Sequence, residues 1–371
     1  MFAWLIGSFS LFFTLWLVWN LKQWPAVVPA KPQRTPRVSV LIPARNEERN
    51  IVRCVESLAA QSYPAYEIII LDDRSDDRTP ILLSMLSERY PQLTIIPGQE
   101  LPPGWVGKVH ACHQLQQAAS GEWLLFVDAD TMHGPQMLES VMACAEAKDT
   151  SFATGFPRIY SSHLFGWLVL PMLHFIIALH LPVKFVSASK DDRFMAAHGA
   201  FMLFTREAYD AIGGHAAFPS EMVEDMALAR AVKQAGYKAE LLDITPVVSC
   251  EMYETPAEVV EGFTKNIFIG IGRSSSALLA LLVMYGALYV WPPIGALIAG
   301  INGDYSTAAL WTACYLTGCL QKRMVDLRFG VYGRRFWLLP LSFGCLGYIA
   351  LRSWRIGITK KGYVWKGRVY R

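Results

Sequence analysis

The run Glu122-Trp-Leu-Leu-Phe-Val127 passes without interruption into Asp128-Ala-Asp130, and this junction decides how the rest of the chain is read. It is the last of four similar runs. Val38-Ser-Val-Leu-Ile42 leads into Pro43-Ala-Arg-Asn-Glu-Glu48, Glu67-Ile-Ile-Ile-Leu71 leads into Asp72-Asp-Arg-Ser-Asp-Asp77, and Leu93-Thr-Ile-Ile96 is the third. Helix-like stretches separate them, one ending near Gln61 and one over 79–89, for which Ser75 and the neighbouring aspartates suit an N-cap. Short continuous apolar runs separated by helices predict an α/β fold, with a mostly parallel sheet covered on both faces. Ligands of such open sheets sit beyond the carboxyl ends of the strands. Those ends here carry Arg45 with Asn46 and Glu47, Asp72 with Asp73, and Asp128 with Asp130, which is more polar chemistry than packing requires.

Each cluster has a plain structural reading beside a chemical one. Asp128 and Asp130 can cap the next helix, or converge on one divalent cation and leave positions for two phosphate oxygens. Such a cation, Mg2+ or Mn2+, would neutralise the charge growing on a diphosphate leaving group. Lys108, in Gly104-Trp-Val-Gly-Lys108, is either a solvated surface lysine or a diphosphate clamp beside a helix N-terminus. Glu224-Asp225 precedes an amphipathic stretch, where acids favour the helix dipole. A carboxylate there could equally take the proton from an attacking hydroxyl. His198 and His215 flank glycine turns and read either as structural hydrogen-bonding residues or as acceptor-side groups.

Around this body the composition changes. The chain has 371 residues, of which 53% are hydrophobic and only 18% charged, and the charges avoid 2–21, 164–183 and 277–351. Phe2 to Leu21 is free of charge and long enough to span a bilayer, making 1–22 an expected anchor. Lys22, Lys31, Arg34 and Arg37 follow it, so the positive-inside rule puts the N-terminus outside and the body in the cytosol. The expectation is therefore a multi-pass protein of the inner membrane. Segment 164–183 carries Pro171, His174, His180 and Pro182 and reads as an interfacial or re-entrant helix pair, or as a buried core pair. The runs 277–300 and 305–320, joined by Asn302-Gly-Asp304, read as a helical hairpin. A third crossing at 336–351 would carry the basic tail 352–371 outside, against the rule, so one of the three runs is expected to be re-entrant or interfacial. The sequence does not say which. A net charge of +3 with no basic run interleaved with aromatics gives no argument for nucleic acid. The seven cysteines form no C-x-x-C pair and read as buried thiols of a reducing compartment.

Taken together, Val40-Leu-Ile-Pro-Ala-Arg-Asn-Glu47, Ile70-Leu-Asp-Asp-Arg-Ser-Asp-Asp77, Phe126-Val-Asp-Ala-Asp130, Gly213-Gly-His215 and Val223-Glu-Asp225 resemble glycosyltransferase family 2. The resemblance runs from Val38 to about Asn266 and implies an A-type, Rossmann-like glycosyltransferase domain over 37–275. It also implies a divalent metal, a nucleotide-sugar donor and inversion at the anomeric carbon. By motif position, Pro43, Glu47 and Asp73 would hold the uridine. Ala44, Arg45, Lys108 and Asp128 complete the expected nucleotide-sugar site, Asp130 with Asp128 the metal site, and Asp225 with Glu224 the catalytic pair. Gly104-Trp-Val-Gly-Lys108, Glu251-Met-Tyr253, Gly262-Phe-Thr-Lys-Asn266 and Val364-Trp-Lys-Gly-Arg368 are similar to the membrane-bound branch that glycosylates carotenoid acids or accompanies hopanoid synthesis, with ceramide glucosyltransferases more distant.

One departure shapes the functional expectation. Processive synthases carry Q-x-x-R-W after the catalytic acid, and this chain does not. Lys265, Asn266 and Arg273 occupy that region as acceptor-side candidates. The expectation is therefore transfer of one hexose, from a UDP-sugar, to a lipid-like acceptor at the cytosolic membrane face. A processive polysaccharide synthase and a saccharide or lipid transporter are the alternatives. The missing motif opposes the first, and the scarcity of polar residues in the apolar runs opposes the second.

Overall fold

The strand that ends at Asp128 is the middle strand of a seven-stranded sheet. The computed structural model describes residues 1–251, 253–359, 363–365 and 368–370, the last two stretches by backbone alone. The chain divides into two compact units: Trp24–Arg158 with Leu181–Glu251, and Met1–Gln23 with Ile159–His180 and Met252–Arg371.

The first unit holds the sheet. Its strands are β1 (Val38–Ala44), β2 (Tyr66–Asp72), β3 (Leu93–Pro97), β4 (Trp123–Val127), β6 (Phe152–Gly155), β7 (Phe201–Thr205) and β8 (Ala239–Leu242), in the order β3-β2-β1-β4-β7-β6-β8. A short pair, β5 (Thr131–His133) and β9 (Val248–Cys250), lies antiparallel outside it. The pairs β3–β2, β2–β1, β1–β4 and β6–β8 are parallel, whereas β7 runs antiparallel to both β4 and β6. The expected mostly parallel sheet is present, with one reversed strand from a run, Phe201-Met-Leu-Phe-Thr205, that the sequence reading left unassigned. Helices α1 (Ile51–Ala59), α2 (Thr79–Arg89), α3 (Gly107–Ala118), α4 (Met137–Ala147) and α5 (Glu224–Gln234) cover it. In α1 the buried positions Ile51, Cys54, Val55 and Leu58 follow the three-and-four spacing of one helix face, and they join the core formed by Val40, Ile42, Ile68 and Leu125.

Strand order places the site. The chain moves outward from β1 to β2 and β3, then returns to lay β4 on the other side of β1. The carboxyl ends of β1 and β4 therefore bracket the point where the direction of winding reverses, which is where open α/β sheets take their ligands. Because β7 is antiparallel to β4, with Phe201 opposite Val127, residues 198–200 enter at the same edge as Asp128.

The second unit is helical. Phe2–Lys22, Ser275–Ile301 and Arg335–Thr359 are long and apolar enough to cross a membrane, and Leu164–His180 is a shorter apolar helical stretch. The expected hairpin is there, with Asp304 capping the returning helix Tyr305–Arg328 through the Thr307 N–H. That helix runs eight residues past the expected 320, because Lys322 and Asp326 pair with each other inside the unit. Phe2–Lys22 lies alongside it in the same direction: Cys314 packs near the Ala3 carbonyl, and Gln321 donates to the Ser10 carbonyl and the Thr14 hydroxyl. The last helix, Leu339–Thr359, starts beside Gly318, stacks Phe343 on Tyr289 at 4.7 Å, and finishes where the Trp354 indole donates to Ser275. Before it, the Trp337 carbonyl accepts from the Tyr315 hydroxyl, so the connection after Arg328 dips back along the helix it has just left. Of the basic tail, Lys360, Lys361, Lys366 and Arg371 lie outside the described residues.

Candidate active site

Asp128 leaves β4 in a turn closed by Thr131, whose hydroxyl donates to the Asp128 carbonyl at 2.6 Å. Asp225 stands in the first turn of α5. Its Oδ2 accepts the Gly199 N–H at 3.0 Å and its Oδ1 accepts the Met226 N–H at 2.7 Å, so the carboxylate is held from two sides. Lys108, near the start of α3, reaches between these segments. Its ammonium lies 2.7 Å from Asp128 Oδ1 and 3.2 Å from Glu224 Oε1. One cation thus ties the Asp-x-Asp turn to the Glu-Asp pair. Gly199 is required for this: a Cβ there would stand 2.6 Å from the Lys108 Nζ.

One ammonium does not balance three carboxylates in a half-buried setting, and the group that yields is Asp225. Burial first, and then the charge of Glu224, push its carboxyl up to about 7, against the pull of Lys108 and the two N–H donors. Burial alone would lower Lys108, but Asp128 and Glu224 hold it well above the ordinary lysine value. Burial pushes His198 down to about 4, and its ring still feels the charges of Asp128, Lys108 and Glu224. Its Nδ1 accepts the Ala200 N–H at 3.2 Å, which leaves the proton of the neutral ring on Nε2.

Asp130 lies close to two cysteines. Pairing of β9 with β5 sets Cys250 opposite Thr131, and the Cys250 thiol is hydrogen-bonded to the Asp130 carboxylate. Burial, and then the charge of Asp130, raise both Cys250 and Cys54 far above the usual thiol range. Protonated thiols are not soft ligands, so the donors at this edge are hard carboxylate oxygens, the kind that Mg2+ and Mn2+ take. Among the described residues no three His, Cys, Asp or Glu side chains form a ready-made cage. Two carboxylates and an incoming diphosphate fit a cation of that type, because Mg2+ is usually held by one or two carboxylates plus substrate phosphates.

The loops after β1 and β2 interlock. The Asn46 N–H donates to the Ser75 hydroxyl, Glu47 N–H to Thr79, Glu48 N–H to Asp77, and Arg78 N–H back to Glu48. Arg45 donates to the carbonyls of Asp73 and Arg74, so this side chain, expected at the nucleotide-sugar, holds the neighbouring loop. Ala44 is 1% exposed and offers only backbone, and its carbonyl accepts the Asp73 N–H at 2.7 Å. Ser75, expected to cap α2, serves Asn46 instead. Pro43, Glu47 and Asp73 stand at this shared rim, with Asp73 largely buried.

The structure brings Lys108, Asp128, His198, Glu224 and Asp225 together. It removes His215, which is 0% exposed and packed 4.8 Å from the Phe126 ring, with the Tyr209 hydroxyl 2.6 Å from its Nδ1. Its burial beside Phe126 and Tyr209 sets it apart from the Lys108 cluster. Lys265 and Asn266 lie on the helix Pro256–Gly270 and Arg273 in the turn beyond, all in the helical unit. The sequence reading missed Gly199, Cys54 and Cys250. The glycine had no motif around it, and the thiols gain meaning only from the tertiary contacts of α1 and β9 that set them near Asp130.

Comparison with known proteins agrees with the fold. A 4,4'-diaponeurosporenoate glycosyltransferase of Staphylococcus aureus (strain MRSA252) is 25% identical over 346 residues, covering 90% of this chain and 88% of that protein. Its counterpart in strain USA300 is 24% identical over the same length. A mannosyltransferase from Pyrobaculum calidifontis, solved in complex with GDP-Man and Mn2+, matches with a TM-score of 0.59 and 19% identity, covering 97% of this chain and 99% of that one. At that identity the likeness speaks for the fold, an A-type glycosyltransferase sheet. The motifs resemble family 2, whereas the family whose model matches, over residues 1–260, is described as Glycosyl transferase family 21. The glycosyltransferase assignment and the likeness to the carotenoid-acid branch hold under either number, and the chain belongs to glycosyl transferase family 21.

Proposed function

We propose that this glycosyltransferase moves a single hexose from a nucleotide-sugar, of the UDP type by motif resemblance, to a lipid-like acceptor with inversion. The observation that carries the reading is the Lys108 bridge, which joins Asp128 to Glu224 at the carboxyl edge of β4 and sets Asp225 beside them. Asp225 is the base. A carboxylate that titrates near the working pH is both available and strong enough to take the acceptor's proton as the hydroxyl attacks. The Gly199 and Met226 N–H groups orient it. Lys108 contributes positive charge where the diphosphate departs, and Pro43, Glu47 and Asp73 form the nucleoside rim. A divalent cation held through Asp130 and Asp128 would supply the remaining charge neutralisation.

Support for a lipid acceptor comes from the three helices long and apolar enough to cross a bilayer, which would bring the enzyme to such a substrate. Phe2–Lys22 and Tyr305–Arg328 run in the same direction, so Lys22 and the cluster Lys322, Arg323 and Arg328 share one end, which the positive-inside rule assigns to the cytosol. Leu339–Thr359 begins partway along this bundle and ends level with Ser275, the start of the hairpin, so the run after Arg328 is the re-entrant one. That keeps Thr359, the end of the helix, on the basic side.

The test compares two variants of the full chain. Asp225→Asn is expected to keep nucleotide-sugar binding within about threefold and to lose roughly 1,000-fold in turnover. Asp130→Ala is expected to lose metal-dependent binding as well as turnover. Normal turnover in the first removes Asp225 as base, and retained metal-dependent binding in the second removes Asp130 from the metal site.

A further inference from the structure

The helical unit contains a second charged centre that glycosyl transfer does not use. Lys322 and Asp326, one turn apart on Tyr305–Arg328, pair with each other at 4% and 7% exposure. Ionisable groups at this depth in an apolar bundle are costly and are kept where they serve a pathway or a ligand. They do not face a sealed interior. They line a shallow open cleft together with Trp167, Tyr332, Arg335 and Ser342. The Arg335 guanidinium lies 4.5 Å from the centre of the Trp167 ring, which fixes its plane while leaving its edge donors available. Arg323, on the same helix as the pair, donates to the Gly333 carbonyl and sits 5.4 Å over Phe336, tying down the loop that closes the cleft.

Two cations and one carboxylate line the cleft, so an anion is the occupant that balances it. Its position says which kind. The cleft lies where the connection after Arg328 dips back beside its own helix, at the basic end shared with Lys22, and Trp167 and Tyr332 line it. Aromatic and basic side chains of that sort collect at the headgroup level of a bilayer, and basic pockets between helices on the cytosolic side take anionic headgroups. We propose that this cleft binds the phosphate headgroup of an anionic membrane lipid, with Arg335 as the principal contact and the Lys322–Asp326 pair as a fixed polar floor. Ser342, 3% exposed, supplies a neutral hydroxyl to the same space. The proposal rests on the membrane embedding of this unit and is independent of the roles given to Asp225 and Asp130.

The experiment uses the full-length chain in bilayer discs of phosphatidylcholine, with and without phosphatidylglycerol, and reads bound lipid by native mass spectrometry after release. The wild type is expected to retain phosphatidylglycerol. Arg335→Gln should lose at least about tenfold in retention, Arg335→Lys should fall between, and Arg352→Gln, a basic change outside the cleft, should match the wild type. Equal retention in Arg335→Gln, or equal loss in Arg352→Gln, overturns the site. Displacement of the lipid by inorganic phosphate at matched concentration identifies a small-anion site and overturns the lipid assignment. If Arg335→Gln does not fold, a photoactivatable phosphatidylglycerol on the wild type decides. Labels within 331–342 support the cleft, and labels confined to other segments refute it.

Discussion

Two buried lysines show how differently this chain uses the same pair of groups. Lys322 meets Asp326 one turn along its own helix, one charge for one, and the pair needs nothing beyond local geometry to form. Lys108 meets carboxylates from two segments far away in sequence, Asp128 and Glu224, with Asp225 close by, so its neighbourhood is left with excess negative charge. The first arrangement is electrically closed, and it becomes a floor. The second is open, and an unbalanced cluster is what catalysis can draw on: it raises a carboxyl toward neutrality and attracts a cation bound to phosphate.

Breaking each pair separates these roles. Lys108→Met strands two carboxylates in a partly buried site and is expected to cost about 3–5 kcal/mol in unfolding free energy by denaturant titration. It also removes the one positive group that pulls Asp225 down, so the rising limb of the pH–rate profile moves to higher pH. Lys322→Met is expected to cost about 3 kcal/mol, whereas the double change Lys322→Met with Asp326→Leu should recover most of it, because apolar replacement of a whole buried pair is nearly neutral. A double variant as unstable as the single would show that the pair is not self-contained.

The pH dependence is the next sharpening. In the wild type kcat/KM should climb as pH rises through about 7, where Asp225 loses its proton. Glu224→Gln takes away the neighbouring charge that raises it, so the limb should move down by on the order of one unit. The stability sign is opposite to the activity sign. The folded carboxyl titrates above the ordinary aspartate value, so between about 4 and 7 the folded state holds a proton that the unfolded state has lost. Stability falls as pH rises through that window, and the full cost is present above 7. The smallest effect belongs to the partner of His215: Tyr209→Phe should cost about 1 kcal/mol through the lost bond to that ring, with kcat within about twofold.

Much of the site was legible in the chain because strongly polar residues stood where apolar runs stopped. Asp128 and Asp130 stand at such an end, whereas Lys108 and Asp225 were singled out beside helix starts. Arg45 was also found, but the structure turns its guanidinium onto carbonyls of the adjacent loop, a use that depends on β1 and β2 lying side by side. His198 and His215 looked alike in sequence, each flanking a glycine. A reversed strand carries the first to the edge of β4, and the other lies behind Phe126.

What the amino-acid order decided alone was the first four strands and their helices, the strand ends that bear charge and the segments too apolar for water. These follow from short-range rules of burial and spacing. Tertiary structure decided which of those ends share a space: the antiparallel insertion of β7 that brings Gly199 to Asp225, and the lysine that spans two motifs. Each depends on contacts between residues distant in the chain, and no local pattern encodes them.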